Sequence, residues 1–344
     1  MVTPKPVRGE PKVSVIVPAR NEEGSLGRCL ASITQQTGTT FELIVVDYGS
    51  TDRTREIALS FPRARVIDPP ALPAGWTGKN NAVMAGARQA VGSWLLFTDA
   101  DTVHLPGSLT RSVAEAEQHG ASLLSYSPEQ EVHGFWQHAV MPVIFAQLAS
   151  TYSPSQVSDP NSSSAAANGQ YLLVTREAYH AVGGHAAVAH DLLEDVALAR
   201  AVKQSGRKIF FRYAGDAVRA RMYRTFEQMR EGWTKNLALL FPAPIRLALL
   251  RAAEFLIVLV GVLLGLIALF RQELFWAIVC GGIAALFYMH FLWRIRKAHF
   301  SWLADLLAIF GLPLFSYLLW RSQLCYRQGQ VAWKGRIYAQ GSRA

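Results

Sequence analysis

Two acidic residues, Asp99 and Asp101, stand two positions apart directly after the apolar run Trp94–Thr98. Side chains alternate at a strand end, so this spacing predicts both carboxylates on one side of the backbone. Such a pair suits Mg2+ or Mn2+, hard cations that keep several waters and take one or two carboxylates together with phosphate oxygens. A second acidic pair, Glu194-Asp195, opens the helical stretch Leu192–Ser205. Residue type and position alone give it the place of helix-start acids favoured by the dipole. Lys79 places a cation at another helix start, in Trp76-Thr77-Gly78-Lys79-Asn80-Asn81, where backbone amides already favour anions. Asp47 follows the run Glu42–Val46, well placed for a base or ribose, and Ser50 or Thr51 is expected to cap a helix from Asp52. The segment Val15–Glu22 ends a strand at Pro18 and then offers Ala19, Arg20, Asn21 and Glu22.

These residues need a frame that brings strand ends together. Seven short β-rich runs occur up to about Gly215: Val13–Val17, Glu42–Val46, Ala64–Ile67, Trp94–Thr98, Ser122–Tyr126, Tyr171–Thr175 and Lys208–Arg212. Helical stretches alternate with several of them, at Glu22–Gln35, Asp52–Ser60, Gly78–Val91, Leu105–Gln118 and Leu192–Ser205. Alternation at this spacing predicts an α/β fold with a mostly parallel sheet flanked by helices. Ligands of such sheets gather beyond the carboxyl ends of the strands. Two stretches break the pattern. Phe135–Ser150 is aromatic-rich and carries His138 as its only ionisable residue, and reads either as a plain surface helix or as a helix resting in lipid headgroups. Tyr152–Asn168 is rich in Ser, Ala, Asn and Pro and reads as a mobile loop.

The chain has 344 residues, 51% hydrophobic and 17% charged, with a formal charge of +9. The low charged fraction points to a membrane part. The basic balance suits anionic lipid or a phosphorylated substrate, and with no aromatic-basic motif it does not read as a nucleic-acid binder. Cys29, Cys280 and Cys325 are scattered and form no metal or disulfide pattern. The first residues contain no apolar stretch, so a cytoplasmic N-terminus is expected. From Phe255 the composition changes: Phe255–Phe270 and Leu274–Trp293 each approach bilayer length, separated by Arg271-Gln272-Glu273. Trp302–Trp320 is apolar but holds Asp305, Gly311 and Pro313. The basic residues Arg294, Arg296, Lys297, Arg321, Arg327, Lys334, Arg336 and Arg343 favour the cytoplasmic side. Two spans plus a third segment that dips in and returns are therefore expected. The domain layout that follows is a tail over 1–12, a catalytic domain over 13–235, an interfacial helix region over 236–253, a membrane region over 254–320 and a basic tail over 321–344.

The ordered pieces Val15–Glu22, Asp47–Asp52, Trp76–Asn81 and Asp99–Asp101 resemble the nucleotide-binding half of glycosyltransferase family 2, enzymes of the GT-A fold. The likeness continues through Asn168-Gly169-Gln170, Gly183-Gly184-His185 and Glu194-Asp195. Arg221-Met222-Tyr223, Gln228–Lys235 and Trp333–Tyr338 resemble the membrane-bound branch that works on isoprenoid lipids, of carotenoid type, with hopanoid and ceramide types sharing much of the pattern. The resemblance implies an inverting transfer of one sugar from a nucleoside-diphosphate donor, UDP by expectation, to a lipid or isoprenoid acceptor. By that analogy Pro18, Ala19, Arg20, Glu22, Asp47, Lys79 and Asp99 bind donor, and Asp101 with Asp99 holds Mg2+ or Mn2+. Asp195 is the base, with Glu194 beside it. Asn168, Gly169, His185, Gln228, Arg230 and Trp233 serve the acceptor and diphosphate side. Position 48 is Tyr where the family commonly has a second Asp, and Gln228–Trp233 is spaced unlike the motif of processive synthases, which favours one sugar per acceptor. A polyprenyl-phosphate sugar transferase, with Arg219, Arg221 and Arg224 on the lipid phosphate, is the alternative enzyme. A catalytically silent sugar-nucleotide-binding membrane protein is the alternative of another class.

Overall fold

The computed structural model describes residues 11–333 and the backbone of 336–338. Lys334, Gly335, Arg343 and most of the expected N-terminal tail lie outside the described residues. In chain order the first elements are β1 (Val13–Ala19), α1 (Leu26–Thr34), β2 (Phe41–Asp47), α2 (Thr54–Leu59), β3 (Ala64–Ile67), α3 (Gly78–Gln89), β4 (Trp94–Phe97), β5 (Thr102–His104) and α4 (Ser108–His119). There follow β6 (Leu123–Ser127), β7 (Glu129–Gln130), α5 (Gly134–Thr151), α6 (Pro154–Ser158), β8 (Leu172–Thr175), α7 (Arg176–Ala181), α8 (Gly184–Ala187), α9 (Glu194–Gln204), β9 (Ile209–Tyr213) and β10 (Val218–Ala220). The last are α10 (Phe226–Leu240), α11 (Pro244–Phe270), α12 (Leu274–Ile295), α13 (Trp302–Leu307), α14 (Gly311–Arg327), β11 (Val331–Trp333) and β12 (Arg336–Tyr338).

The seven β-rich runs of the sequence supply the seven strands of one sheet, in the order β3-β2-β1-β4-β8-β6-β9. Strands β3, β2, β1 and β4 are parallel, and β8 is antiparallel to both neighbours. Every residue of β1 is buried, as expected of a central strand covered on both faces. Pro18 is tolerated there for a local reason. Pairing with β4 ends at Ile16, and the Ile16 carbonyl points to that side, where it accepts from Thr98 N–H at 3.1 Å. Pro18 faces the same side, beyond the last rung, where no ladder donor is required. Helix α3 lies directly on the sheet at Gly86, since a Cβ there would meet Ile16 Cγ2 at 2.5 Å.

The described chain divides into two compact units: residues up to Glu131 together with Pro154–Met222, and Val132–Ser153 together with the part from Tyr223 onward. This division departs from the expected boundary at 235, because α5 and α10 pack with the apolar helices. Three segments of the second unit are long and apolar enough to cross a membrane: Pro244–Phe270, Leu274–Ala298 and Trp302–Arg327. The expected interfacial helix over 236–253 does not exist as a separate element. Helix α10 stops at Leu240, Pro242 interrupts the chain, and Pro244 opens α11 at its first position, where a missing N–H costs nothing. The third segment is half buried, against 17% and 11% for the other two, and a 3-10 turn over 308–310 breaks it. Gly311 begins α14 where a Cβ would sit 2.0 Å from the Ala139 carbonyl oxygen of α5. Helix α5 is therefore not the surface helix expected, plain or headgroup-resting: residues 139–144 are buried, and only its first turn exposes large apolar rings. The stretch after it is held too. Helix α6 lies within it, and Lys203 Nζ donates to the carbonyls of Val157 and Ser164 at 2.7 and 2.6 Å.

Candidate functional site

The first unit brings Asp99, Glu194 and Asp195 to one cleft, lined also by Pro18, Lys79, Val83, Phe97, Thr98, Gly169, Leu172 and His185, whereas Asp101, Asp47 and Glu22 are not among its lining residues. Lys79 sits in the middle. Its ammonium is 2.8 Å from Asp99 Oδ1 and 2.8 Å from Glu194 Oε1, so one cation joins the two carboxylate pairs. Burial works against that charge, but the Asp99 and Glu194 carboxylates outweigh it and hold the Lys79 pKa well above the usual lysine value. Thr77 presents the lysine by capping α3, its side chain accepting from Asn80 N–H. Asn80 is buried, and its amide donates to the carbonyls of Val188, Ala189 and Asp191 at 2.9, 3.1 and 3.1 Å. The segment leading into Glu194-Asp195 is thereby pinned to the first turn of α3.

Asp195 faces different neighbours from Asp99. Its Oδ2 accepts from Gly169 N–H at 2.7 Å and its Oδ1 from Val196 N–H at 2.8 Å. Burial, reinforced by the charge of Glu194, raises its pKa in spite of those bonds and of Lys79. Gly169 is at the centre of the arrangement: a Cβ there would lie 3.2 Å from Lys79 Nζ, 3.4 Å from Asp195 Oδ2 and 3.6 Å from Glu194 Oε1. His185 closes the cleft as a neutral ring, its pKa lowered to about 4 by burial. Tyr179 Oη accepts from the His185 backbone N–H at 3.1 Å and is 2.9 Å from Nδ1. With the phenol proton given to Nδ1, the ring carries its own proton on Nε2.

Asp99 and Asp101 do not stand on an extended strand end, as their spacing predicts. They belong to a turn in which Thr102 N–H and Oγ1 both reach the Asp99 carbonyl, at 3.3 and 2.8 Å. Gln170 Nε2 approaches Asp101 Oδ1 at 3.5 Å, and Thr98 Oγ1 donates to the Gln170 carbonyl at 2.8 Å. Below the turn, His104 Nε2 lies 3.1 Å from Thr98 Oγ1 and 3.4 Å from Thr102 Oγ1. Both hydroxyl protons are committed to carbonyls, so Nε2–H is the donor; burial lowers this ring's pKa to about 3 and keeps it neutral. Cys29 beneath is inert, its thiol pushed up to about 12 by burial. Among the described residues no three His, Cys, Asp or Glu side chains come together as a metal cage. A cation that shares its shell with water and diphosphate needs only one or two carboxylates; the turn offers two, Asp99, whose Oδ1 is 2.8 Å from Lys79, and Asp101.

Beside the cleft, Ala19 and Asp47 are register partners at the ends of β1 and β2. Asp47 Oδ1 accepts from Ser50 N–H and Oγ at 3.0 and 2.7 Å. Asn21, at φ +53°, takes Thr51 N–H on its side-chain oxygen at 2.8 Å. Glu22 N–H donates to Thr54 Oγ1 at 2.7 Å. The two loops after β1 and β2 are thus stitched into one rim. The expected cap at Ser50 or Thr51 is replaced: α2 starts at Thr54, and Asp52 Oδ1 accepts from Thr54 N–H at 3.0 Å. Asn168 accepts Gln170 N–H on its side chain at 2.9 Å and so shapes the loop that carries Gly169.

Gln228, Arg230 and Trp233 belong to the second unit. Trp233 is buried, with its indole N–H 3.4 Å from Met141 Sδ and its ring against Tyr223 and Phe145. It is core, not the substrate-facing ring that the resemblance implies. Gln228 Oε1 accepts from Arg224 N–H at 2.9 Å at the start of α10. Sequence reasoning missed Asn80, Thr98 and Gln170 as organisers of the site. Gln170 was within reach as the neighbour of Gly169, whereas nothing in the local sequence marks Asn80 as buried.

Residues 14–173 match the family described as glycosyl transferase family 2. Over 235 residues the chain is 30% identical to 4,4'-diaponeurosporenoate glycosyltransferase of Staphylococcus aureus (strain USA300), covering 66% of this chain. The match spans 60% of that relative's length. Among solved structures, the mannosyltransferase PcManGT from Pyrobaculum calidifontis, in complex with GDP-Man and Mn2+, superposes with a TM-score of 0.55 at 17% identity. That superposition covers 94% of this chain and 89% of the other, and it identifies the fold as GT-A.

Proposed function

Residues 14–173 match glycosyl transferase family 2, and from that similarity we propose that the protein is a membrane-bound inverting glycosyltransferase. It moves one sugar from a nucleoside-diphosphate sugar, UDP-linked in our reading, to a lipid or isoprenoid acceptor. The observation that carries this reading is the cleft in which Lys79 joins Asp99 to Glu194 while Asp195 stands beside Gly169. The rim of Ala19–Glu22 and Asp47 receives the nucleoside. Lys79 offers fixed positive charge to the diphosphate, where negative charge grows as the sugar leaves. The family resemblance alone assigns Arg230 to the diphosphate side. Mg2+ or Mn2+, held by Asp101 and Asp99, would supply Lewis-acid stabilisation of that leaving group.

Asp195 removes the proton from an acceptor hydroxyl as its oxygen attacks the anomeric carbon from the face opposite the diphosphate. Gly169 N–H holds one carboxylate oxygen of Asp195, which fixes the direction from which the base works. Glu194 is paired with Lys79, and its charge sustains the raised pKa of its neighbour. His185, neutral and buried, closes the acceptor side without adding charge. The three apolar helices of the second unit and the similarity to a carotenoid glycosyltransferase support an amphiphilic acceptor and a cytoplasmic-membrane location with the catalytic unit facing the cytoplasm. A polyprenyl-phosphate acceptor is less well served, because Arg219 is already paired with Glu129 at 2.9 Å.

The test uses membranes containing the full chain, incubated with labelled UDP- and GDP-sugars and Mn2+ or Mg2+, followed by extraction of lipids. Label in an isoprenoid or other lipid fraction is the expected outcome. Donor turnover that labels only water-soluble sugars would overturn the lipid acceptor, and no use of any nucleotide sugar would overturn the whole reading.

A further inference from the structure

In the second unit, four aromatic rings from three separate elements stand in a row. Phe310, from the 3-10 turn of the third apolar segment, lies 6.4 Å from Phe135 between centroids. Phe135 is 5.2 Å from Trp136 at the start of α5. Trp136 in turn is 5.9 Å from Phe226 at the start of α10. Phe135, Trp136 and Phe310 are 49%, 50% and 53% exposed. Soluble surfaces rarely assemble large apolar groups from distant chain segments into a continuous strip. The platform is also held firmly. Gln137, itself buried, accepts His133 N–H on Oε1 at 2.9 Å and donates from Nε2 to the Tyr223 carbonyl at 3.2 Å. That pair of bonds ties the first turn of α5 to the chain entering α10.

One end of the strip is on a segment apolar enough for a bilayer. The other is on the first turn of the helix that bears Gln228 and Arg230. Resting on the proposed glycosyltransferase reading, we infer that Phe310, Phe135, Trp136 and Phe226 form a binding track for one extended hydrocarbon chain of the acceptor. Continuity with the apolar segment argues for a lipid chain as occupant, since a chain leaving the bilayer keeps an apolar contact along its whole path. Ring faces and edges at this spacing cover such a chain with the Trp136 indole N–H as the one polar group among the four rings, and aromatic side chains lose little conformational freedom on contact. Bulk lipid needs no such registered row, because a scattered apolar surface serves it equally.

The experiment places the full chain in phosphatidylcholine vesicles with a photoactivatable long-chain isoprenoid alcohol and maps the labelled peptides. Label concentrated on the peptides holding residues 135–136 and 310 is expected, displaced by excess unlabelled isoprenoid but not by added phosphatidylcholine. In the variant Phe135→Ala/Trp136→Ala, labelling there falls, and the KM for a long-chain acceptor rises about tenfold while the KM for nucleotide sugar stays unchanged. The milder Trp136→Phe variant restores most of both, which separates ring contact from loss of fold. Label spread evenly along α11 and α12 without competition would assign the patch to bulk bilayer and overturn the track. Track labelling in a protein that uses no nucleotide sugar would leave this inference standing and remove the catalytic reading instead.

Discussion

Asp195 and Glu194 are neighbours in sequence yet carry opposite electrostatic burdens. Glu194 has the Lys79 ammonium at 2.8 Å, and Asp195 has burial and the charge of Glu194 against it. A general base must be ionised, so activity falls as pH drops through its raised pKa. Replacing Glu194 by Gln removes a like charge, and the acid limb of the kcat/KM profile should move to lower pH. Asp195→Asn should reduce kcat on a hydroxyl acceptor by about 10²- to 10⁴-fold, with donor affinity by calorimetry unchanged. On a carboxylic-acid acceptor, already ionised at neutral pH, the same substitution should have little effect. Gly169 gives a third test at this scale. Its backbone suits other residues, but an added methyl would crowd Lys79 Nζ and sit in contact with Asp195 Oδ2. Gly169→Ala should lower kcat by about 10- to 100-fold, because small displacements of reacting groups are costly, while the melting temperature stays near wild type.

At the scale of elements, α3 has two duties. Its first turn presents Lys79 and anchors residues 188–191 through Asn80, and its middle lies against β1 and β2 at Gly86. Gly86→Ala forces a methyl to within 2.5 Å of Ile16 and 3.1 Å of Val46. Overpacking of this kind costs about 1–3 kcal/mol, which denaturant unfolding of the variant would measure. The hairpin α11–α12 uses the same device, since Gly261 and Gly265 approach Ala284 and Gly281. Glu254, buried on α11, pairs with Arg294 of α12 at 3.1 Å and with Arg251 on its own helix. These contacts locate the polar end of the hairpin.

For the whole molecule, that polar end carries Arg251, Arg294, Arg296 and Lys297, and the opposite turn is Arg271-Gln272-Glu273. Basic residues favour the cytoplasmic side, so a cysteine introduced at Gln272 should react with an impermeant maleimide added outside intact cells. Labelling only after permeabilisation would reverse the proposed orientation.

Much of the fold was legible in the sequence, because the signals that define it are local. All seven strands of the sheet were visible as short apolar runs, and the residues that line the cleft stand just past them or at helix starts. Asp99 and Lys79 were selected by charge and position, and Glu194 and Asp195 by the family resemblance. Other features depend on contacts between distant segments, which periodicity does not encode. The burial of Trp233 and α5, the unbroken start of α11 and the anchoring by Asn80 are of this kind. Sequence by itself determined which chemical groups the protein owns and roughly where its chain turns. Tertiary structure alone decided their partners: that Lys79 joins two carboxylate pairs, that Asp195 faces Gly169, and that four rings from three elements stand in a row. The physical reason is that charge state and burial are set by neighbours in space, and those neighbours lie far apart along the chain.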